Sequence, residues 1–428
     1  MSIRMQNVLG LFHEPTKGFF TRKTDVYIAE GKIAGIDSPP EGFTAKRQIN
    51  GEGKLLMPGF INSHTHVPMT ILRNAADDLK FHDWLFGRIL PLEDKLAPED
   101  CYWGTQLGIM EMLRTGTTCF LDMYFHIDHV AQAVYDAGMR AVLSRGLMGG
   151  VDGETSLKEA KEEIARWQGK GNIDFMLAPH APYTCDPDYQ RLVAETAKKL
   201  DVGIHTHISE SVREVEDIVA QYGKRPPELM AETGLLTNRT VAAHCVQLDE
   251  ADILTLAKHG VHVAHNPVSN LKLANGVAPV PKLRAAGVNV CLGTDGTASN
   301  NALNMFGELK QACLLHKGIS GNPEAITASE GLELATMNGA RALGLEGVVG
   351  KLAEGYDADL VLISLDHPNM QPQNDLVSAL AYAASGHEVE LTMVKGEVLY
   401  ENGAFPTIDT ERVYQEVEQI CKKIGLRG

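Results

Sequence analysis

The chain has 428 residues, 44% of them apolar and 22% charged, which is typical of a globular protein with one large core and a smaller one. Its 39 basic and 55 acidic residues give a net charge of -16. This balance argues against a nucleic-acid partner, because binding to phosphates needs a clustered basic face. We expect a neutral or zwitterionic small molecule as the partner.

The cysteine usage and the N-terminal segment predict a cytoplasmic protein. The seven cysteines include no CxxC pair and do not form an obvious disulfide framework, which favours a reducing compartment. The first twenty residues contain no apolar stretch of signal-peptide length, and no later run approaches the length needed to span a membrane. We therefore expect no membrane partner, and a homo-oligomer stays possible.

Both ends of the chain have strand-like patterns broken by glycine and proline turns. Residues 25–28 and 32–36 show this pattern near the N-terminus, and residues 358–363 and 391–400 show it near the C-terminus. Because both ends are rich in strands and the middle of the chain is not, we predict that the two ends form one discontinuous β-sandwich domain. Its predicted parts are residues 1–57 and residues 348–428, the second including a terminal helix.

The middle of the chain, residues 58–347, alternates short apolar strands with amphipathic helices, which predicts a parallel sheet covered by helices. An open doubly wound sheet is the alternative, but it usually has fewer strands and a glycine-rich phosphate loop. Neither GxGxxG nor GxxxxGK[ST] occurs here. We predict an α/β fold, a (β/α)8 TIM-like barrel. The predicted strands are 60–66, 117–124, 140–148, 173–180, 202–208, 240–246, 261–265 and 288–294, and the predicted helices are 128–138, 156–168, 187–200, 211–222, 249–259, 280–286 and 304–317.

Polar residues capable of catalysis follow these strands, at the barrel end where such residues gather. His64 and His66 alternate at the end of the first strand, so both rings can face one ion. Taken alone, an HxH pair is more often packing, an Asp before Gly is usually a turn, and a Glu after a strand usually belongs to a helix start. Their joint placement in barrel order favours a site. The others are His180 after the fourth strand, His207 and Glu210 after the fifth, His244 after the sixth and Asp295 after the eighth.

A metal shell can be built from His64, His66, His207 and Asp295. We expect one Zn²⁺ per subunit, with Fe²⁺ or Mn²⁺ as alternatives. Such an ion lowers the pKa of a bound water toward neutrality. Asp295 could accept the proton of that water, and Glu210 is placed to deliver a proton to a substrate nitrogen as a general acid.

Two further histidines near this shell have more than one interpretation. His205 forms a second HxH pair with His207, but it lies one layer deeper in the barrel, so we expect a buried, hydrogen-bonded core residue. His244 could be a fourth nitrogen ligand. We favour a catalytic role instead, in which it orients the nucleophile and polarises the substrate.

Four stretches resemble motifs of the amidohydrolase superfamily of metal-dependent hydrolases, both in their order along the chain and in their residue types. They are PGFINSHTH, HTHISE, AAHCV and LGTDG. The resemblance spans nearly the whole chain. Binuclear members carry a bridging lysine or an acidic residue at the end of strand four, where this chain reads Ala178-Pro179-His180-Ala181-Pro182-Tyr183. The resemblance therefore implies a mononuclear site, as in the deaminases of this superfamily.

More specific stretches resemble the family of 5-methylthioadenosine/S-adenosylhomocysteine deaminases: residues 72–79, 84–85, 90–93 and 144–146, and the His180 motif. By this resemblance Trp84 would stack on the purine or the thioether side, Glu93 would bind the ribose hydroxyls, and Arg145 and His180 would contact the nucleoside. Each has a structural alternative: Trp84 as core, Glu93 balancing Lys95, Arg145 paired with a carboxylate, and His180 capping a backbone group.

The implied reaction is hydrolytic deamination at C6 of an adenine nucleoside, namely 5-methylthioadenosine, S-adenosylhomocysteine or adenosine. The alternatives are a deaminase or chlorohydrolase acting on a free base or a triazine, and a non-catalytic barrel scaffold. Family members that bind S-adenosylhomocysteine well are expected to place a basic residue in the loop after the third strand, where it meets the carboxylate of homocysteine.

The corresponding loop here, residues 148–156, has no Lys or Arg. This departure from the family pattern predicts that 5-methylthioadenosine or adenosine is preferred over S-adenosylhomocysteine.

Two more stretches follow barrel strands and have open roles. Residues 265–270 carry turn residues that either shape the rim of the pocket or close a loop, and we favour the structural role. Residues 297–301 are expected to line the pocket for the base.

Overall fold

The computed structural model describes residues 2–427, and its centre is a barrel of eight parallel strands. The strands follow one another around the barrel in chain order, and Ile208, for example, pairs with His244 of the next strand. The predicted α/β barrel is confirmed, and each predicted strand matches an observed one to within two residues at either end. The barrel strands are β6 (Phe60–Thr65), β7 (Thr117–Tyr124), β8 (Arg140–Leu147), β9 (Ile173–Pro179), β10 (Gly203–Ile208), β11 (Thr240–His244), β12 (His262–His265) and β13 (Asn289–Leu292).

The barrel closes between β6 and β13 through individual hydrogen bonds. The backbone N–H of Asp295 donates to the carbonyl of His64 at 3.0 Å, and the Asn62 side-chain amide bonds Thr294 at both its oxygen and its nitrogen. Gly293 permits this approach, because a Cβ atom there would lie 2.8 Å from the carbonyl oxygen of His64. The closure brings the first and last strands, and the polar residues at their ends, side by side.

Helices surround the barrel, and all seven predicted helices are present with small shifts at their ends. The structure adds several that the sequence patterns did not separate, including a long helix between the first two barrel strands. The helices are α1 (Phe81–Trp84), α2 (Leu90–Glu93), α3 (Pro98–Arg114), α4 (Ile127–Ala137), α5 (Gly153–Trp167), α6 (Pro187–Leu200), α7 (Val212–Tyr222), α8 (Pro226–Glu232), α9 (Glu250–His259), α10 (Pro267–Lys272), α11 (Val280–Ala285), α12 (Met305–Ser320), α13 (Ala328–Ala335), α14 (Met337–Ala342), α15 (Leu376–Tyr382) and α16 (Thr410–Lys423). Short 3-10 helices cover Val67–Leu72 and Pro368–Met370.

A separate sheet is built from both chain ends, as expected. It forks at its first strand, which pairs in parallel with residues 47–50 along one part and with residues 55–56 along another. The sheet has its own apolar core, which includes Ile3, Val26 and Leu360. The domain boundaries after 57 and after 347 stay a prediction. The strands are β1 (Ile3–Glu14), β2 (Gly18–Ala29), β3 (Lys32–Ile36), β4 (Arg47–Asn50), β5 (Lys54–Pro58), β14 (Leu360–Ser364), β15 (Val389–Val394) and β16 (Glu397–Glu401).

The last helix, α16, packs against α3 of the barrel. Its apolar face buries Val413 and Ile420, and Lys423 pairs with Asp100 at the start of α3. Within residues 2–427, no helix combines the length and the apolar character that crossing a membrane would require.

Candidate active site

Histidines from three strands converge at the carboxyl end of the barrel. The ligand atoms of His64, His66 and His207 lie within 4.8 Å of one another, and so do those of His64, His244 and Asp295. Asp295 Oδ1 is 3.4 Å from His64 Nε2 and 3.3 Å from His66 Nε2. The structure thus brings together the four residues predicted as metal ligands, together with His244.

The hydrogen bonds on the far side of each ring leave the Nε2 atoms free to face the centre. Nδ1 of His66 donates to the carbonyl of Met123 at 2.6 Å, and Nδ1 of His207 donates to the carbonyl of His180 at 2.7 Å. A carbonyl can only accept, so the proton of each neutral ring lies on Nδ1. Nε2 of His64 is fully buried and has no hydrogen-bond partner among the described residues. Such converging lone pairs fit a divalent metal ion.

Electrostatics favour a neutral His64, a neutral His207 and an ionised Asp295, whereas the Asp295 carboxylate outweighs burial at His66 and raises the pKa of His66 to about 9. Burial lowers the pKa of His64 to about 3 and that of His207 well below its ordinary value. Burial opposes ionisation of Asp295, yet the close approach of the His64 and His66 rings to its carboxylate holds the pKa of Asp295 well below its usual range. A metal with nitrogen and carboxylate ligands requires these protonation states at His64, His207 and Asp295, and its binding would release the proton of His66.

Residues from α10 and from the loop after β13 hold the Asp295 carboxylate in place. Ser269 Oγ donates to Oδ2 at 2.6 Å and Ser299 Oγ donates to the same oxygen at 2.8 Å. The backbone N–H of Gly296 donates to Oδ1 at 2.8 Å. Ser269 and Ser299 come from the stretches 265–270 and 297–301, whose roles the sequence left open. Ser299 lies behind Asp295, so its side chain supports the carboxylate.

Glu210 sits above this cluster and is almost completely buried. Asn275 Nδ2 donates to Glu210 Oε1 at 2.9 Å, and Glu210 Oε2 lies 3.7 Å from His244 Nε2. Burial, with the nearby charge of Asp295 adding to it, raises the pKa of Glu210 well above its ordinary value. A carboxyl group held protonated near neutral pH can donate a proton to a substrate.

The backbone is strained where the site residues leave their strands. His244 and Asp295 have φ values of 70° and 61°, and Ser209, directly before Glu210, has a φ of 51°. Residues other than glycine seldom adopt this left-handed region, and such strain concentrates at functional sites. The Glu214 carboxylate stabilises the turn by accepting from the N–H groups of Ser209 and Glu210 at 2.6 and 2.8 Å.

A cavity lies above the cluster. It is lined by eight predicted site residues and by further aromatic and apolar side chains. His64 and Arg145 do not line it, because His64 lies beneath its floor and Arg145 lines an adjacent cleft. The predicted residues in the lining are His66, Trp84, Glu93, His180, His207, Glu210, His244 and Asp295.

A π-helical segment places Trp84 and Glu93 on the same cavity. Nine residues of regular α-helix make about two and a half turns, which would place the two side chains on opposite sides. Residues Leu85–Ile89 instead wind as a π-helix. Its turns contain more residues than those of an α-helix, which reduces the angle between the two side chains around the helix axis. The Trp84 indole N–H donates to the carbonyl of Ala298 at 3.2 Å. Trp84 is therefore both packed into the core and exposed to the cavity on one face.

Glu93 presents an unpaired carboxyl oxygen in this cavity. The side chain is 6% exposed, and Oε1 has no hydrogen-bond partner among the described residues. Burial raises the pKa of Glu93 to about 7, against the opposing effect of the neighbouring Tyr124 hydroxyl, whose oxygen also has no hydrogen-bond partner among the described residues. A buried, unsatisfied acceptor is costly, so its presence points to a ligand that donates hydrogen bonds.

Arg145 and His180 are placed differently from each other. The Arg145 guanidinium pairs with Glu163 at 2.8 Å and with Glu159, both on α5. The structure therefore shows Arg145 paired with carboxylates, the structural alternative considered for it. His180 faces the cavity, its Nδ1 lies 3.0 Å from Thr184 Oγ1, and burial lowers its pKa to about 4.

Several site residues were not predicted. Asn275 bonds Glu210 from a loop, and no local pattern marks it. Asn270 bonds His244 from α10, within the stretch 265–270 for which the sequence favoured a structural role. Tyr183 lines the cavity and lies three residues after His180. An aromatic residue so close to a strand-end histidine was a signal that could have identified Tyr183.

The amidohydrolase family model matches residues 55–399. A 5-methylthioadenosine/S-adenosylhomocysteine deaminase from Moorella thermoacetica is 48% identical over 410 residues, which cover 95% of each chain. A crystal structure of an adenosine deaminase from Xanthomonas campestris with bound zinc has a TM-score of 0.94 and 35% identity, over 99% of each chain. An atrazine chlorohydrolase from Arthrobacter aurescens TC1 complexed with zinc has a TM-score of 0.91 and 25% identity, over 98% of this chain and 99% of that one.

These matches extend over the barrel, both chain ends and every strand-end motif described above. The histidine and aspartate cluster and the zinc in two structural relatives support a divalent metal. The resemblance that the motifs indicated is confirmed, and this chain belongs to the amidohydrolase family.

Proposed function

We propose that the protein is a zinc-dependent aminohydrolase that converts an adenine nucleoside to its inosine analogue and ammonia. The observation that carries the proposal is that a metal-ligand cluster and a separate buried carboxyl group face the same cavity. The metal-ligand cluster and Glu210 form one wall, and the unpaired buried carboxyl of Glu93 belongs to another. The name of the relative from Moorella thermoacetica describes the same class of reaction.

One Zn²⁺ per subunit would be held by His64, His66, His207 and Asp295, with Fe²⁺ or Mn²⁺ as alternatives. When bound, such an ion lowers the pKa of a water molecule toward neutrality. The end of β9 supports a single ion, because Ala178 and Pro179 offer no side-chain ligand and the Nδ1 atom of His180, the next residue, bonds Thr184. A second ion would lack the bridging carboxylate or lysine.

Three residues would move or hold protons. Asp295 would accept the proton of the attacking water and later pass it to the departing ammonia. Glu210, whose pKa burial raises, would give a proton to the ring nitrogen beside C6. His244 donates from Nδ1 to Asn270 at 2.8 Å, which leaves its Nε2 lone pair directed into the site to orient the attacking water.

The remaining residues would bind the nucleoside. Glu93 offers an acceptor for the two ribose hydroxyls, and the exposed face of Trp84 suits a purine or a thioether. His180 lines the same cavity and would contact the nucleoside. Glu93 and Trp84 lie at the ends of one helical segment, so the sugar and the group stacked on the indole would be fixed relative to each other.

The surroundings of Arg145 favour a short and uncharged substituent at the 5′ position. Arg145 borders the cleft beside Glu93, but Glu163 and Glu159 already neutralise it. No lysine or arginine occurs in the loop 148–156. A homocysteine carboxylate would have to displace these pairs, so we propose that 5-methylthioadenosine or adenosine is preferred over S-adenosylhomocysteine.

Hydrolysis of a free base or a triazine is the second candidate, because the fold matches that of an atrazine chlorohydrolase so closely. Glu93 argues against it, since neither a free base nor a triazine has a pair of ribose hydroxyls. The deciding experiment measures product release by the zinc-loaded protein from adenosine, 5-methylthioadenosine, S-adenosylhomocysteine, guanine, cytosine and atrazine. Activity on adenine nucleosides is expected, and its absence on all of them would refute the proposal.

We also propose that the enzyme works in the cytoplasm. All seven cysteines are free, and six of them are buried, as expected for a protein kept in a reducing compartment. A homo-oligomer is compatible with this proposal, and its size can be measured by light scattering.

A further inference from the structure

Of the three histidine ligands proposed for the metal, His64 alone has no backbone carbonyl behind its ring. The Nδ1 atoms of His66 and His207 face carbonyl oxygens, which no side-chain substitution can remove. Nδ1 of His64 instead lies 2.8 Å from Nε2 of His205. A second imidazole can donate or accept at that atom, so it does not by itself decide where the His64 proton lies.

The contact between His205 and Ser144 decides which ring nitrogen of His64 carries the proton. Ser144 Oγ lies 2.6 Å from the carbonyl of Asp122, and since a carbonyl only accepts, the single hydroxyl proton of Ser144 is used there. Nδ1 of His205 lies 3.1 Å from the same Ser144 oxygen, so it must be the donor. In a neutral His205 ring this leaves Nε2 as the acceptor and places the proton of His64 on Nδ1. The lone pair of His64 Nε2 then points toward Asp295 and the metal position.

The location of this chain of hydrogen bonds makes it unusual. His64, Ser144 and His205 come from the first, third and fifth barrel strands, and all three are fully buried. Alternate strands of a TIM barrel contribute such interior layers, which branched apolar residues usually fill. Burying polar groups here is costly unless each of them is satisfied, and each atom in the chain up to His64 Nε2 has a partner.

We propose that His205, oriented by Ser144, is a positioning residue that holds His64 in the tautomer able to bind the metal. The inference rests on the proposed metal site and not on the identity of the substrate. Removal of a group that orients a metal ligand typically weakens metal binding about 10- to 100-fold. His205→Leu should therefore weaken zinc binding to that extent, although His205 would not touch the ion.

Metal affinity is measured without substrate, by competition of the metal-free protein with a fluorescent chelator for Zn²⁺. Ser144→Ala should weaken binding less than His205→Leu, because His205 stays in place but loses its fixed orientation. His205→Gln, whose amide oxygen can accept from His64, should recover most of the affinity. The matched control is His262→Leu, which removes a buried histidine bonded to Asn238 and Asn289 at the opposite end of the barrel. Circular dichroism of the metal-free variants verifies folding.

A second measurement uses the unaltered protein and so does not depend on the folding of any variant. Histidine-selective ¹⁵N labelling and two-bond ¹H–¹⁵N correlation spectra of the zinc-loaded protein report which ring nitrogen carries each proton. Protons on Nδ1 of both His64 and His205 are expected, whereas a proton on Nε2 of His205 would overturn the inference. Unchanged zinc affinity in folded His205→Leu would also overturn it while leaving the metal site intact. A parent protein that binds no zinc would overturn both the proposed metal site and the positioning role of His205.

Discussion

The side-chain amide of Asn275 donates a 2.9 Å hydrogen bond to Oε1 of Glu210, the residue proposed to carry the proton to the substrate. This contact occupies one carboxyl oxygen and leaves Oε2 on the side of His244, at 3.7 Å from its Nε2. The proton-donating oxygen is thus selected by a residue sixty-five positions away in the sequence.

Glu210→Gln should lower kcat about 10²- to 10⁴-fold, because the amide cannot deliver the proton. Asn275→Ser should lower kcat about tenfold by releasing one oxygen of Glu210. Both are measured by ammonia release from 5-methylthioadenosine. Asn172→Ser is the control, since Asn172 lies at the other end of the barrel, bonded to the carbonyl of Gly138. A near-normal kcat in Glu210→Gln would refute the proton role.

Removal of the metal should abolish turnover and lower the melting temperature. A ligand present at one hundred times its Kd stabilises the folded state by about 2.7 kcal/mol, which chelation would remove. His66→Ala should behave like the chelated protein and should bind little zinc, as measured by elemental analysis and calorimetry. His129→Ala, at a half-buried histidine on α4 that lies outside the cavity lining, should keep both metal and activity. A fully active His66→Ala protein would contradict the assigned ligand set.

Glu93→Gln should affect nucleosides far more than free bases. The loss of one charge-assisted hydrogen bond to ribose is worth about 1.5–3 kcal/mol, so kcat/KM for adenosine should fall about 10- to 100-fold. Any residual activity on adenine should stay unchanged. Asp94→Asn, at the neighbouring acidic position, is the control. Equal losses on adenosine and adenine would favour a structural role for Glu93.

The same carboxyl predicts a pH dependence. Because burial raises the pKa of Glu93 to about 7, the group is protonated below that pH and is a charged acceptor above it. kcat/KM for 5-methylthioadenosine should therefore rise as the pH increases through about 7. In Glu93→Gln that rise should disappear from the pH profile measured between about pH 5.5 and 9. Its persistence in the variant would assign the ionisation to another group.

Glu163→Gln should improve the use of S-adenosylhomocysteine relative to 5-methylthioadenosine. It removes one of the two carboxylates paired with Arg145, so the guanidinium becomes available to a substrate carboxylate. The ratio of the two kcat/KM values should shift about fivefold, equivalent to about 1 kcal/mol. Glu162→Gln, an exposed position on the same helix paired with Lys158, is the matched control. A wild-type protein that already strongly prefers S-adenosylhomocysteine would contradict the proposed specificity.

The sequence by itself determined the barrel and the strand ends at which polar residues collect. Strand and helix periodicities are local properties, so the order of the eight strands could be predicted, and the side chains that alternate at their ends could be placed. His64 and Asp295 were expected to meet for this reason, although they are 231 positions apart. The closure of β6 on β13 brings them together, with Asp295 Oδ1 at 3.4 Å from His64 Nε2.

Only the tertiary structure decided which residues support that cluster. Ser269 reaches the site from α10, whereas Ser299 and Asn275 reach it from loops. The position of a short helix and the path of a loop both depend on the packing of the elements around them. The pairing of Arg145 with α5 required the position of a neighbouring helix, and the π-helical turns that align Trp84 with Glu93 have no local signature here. The hydrogen-bond direction that fixes His64 likewise depends on atoms from four separate strands, because each donor or acceptor role is set by the next contact.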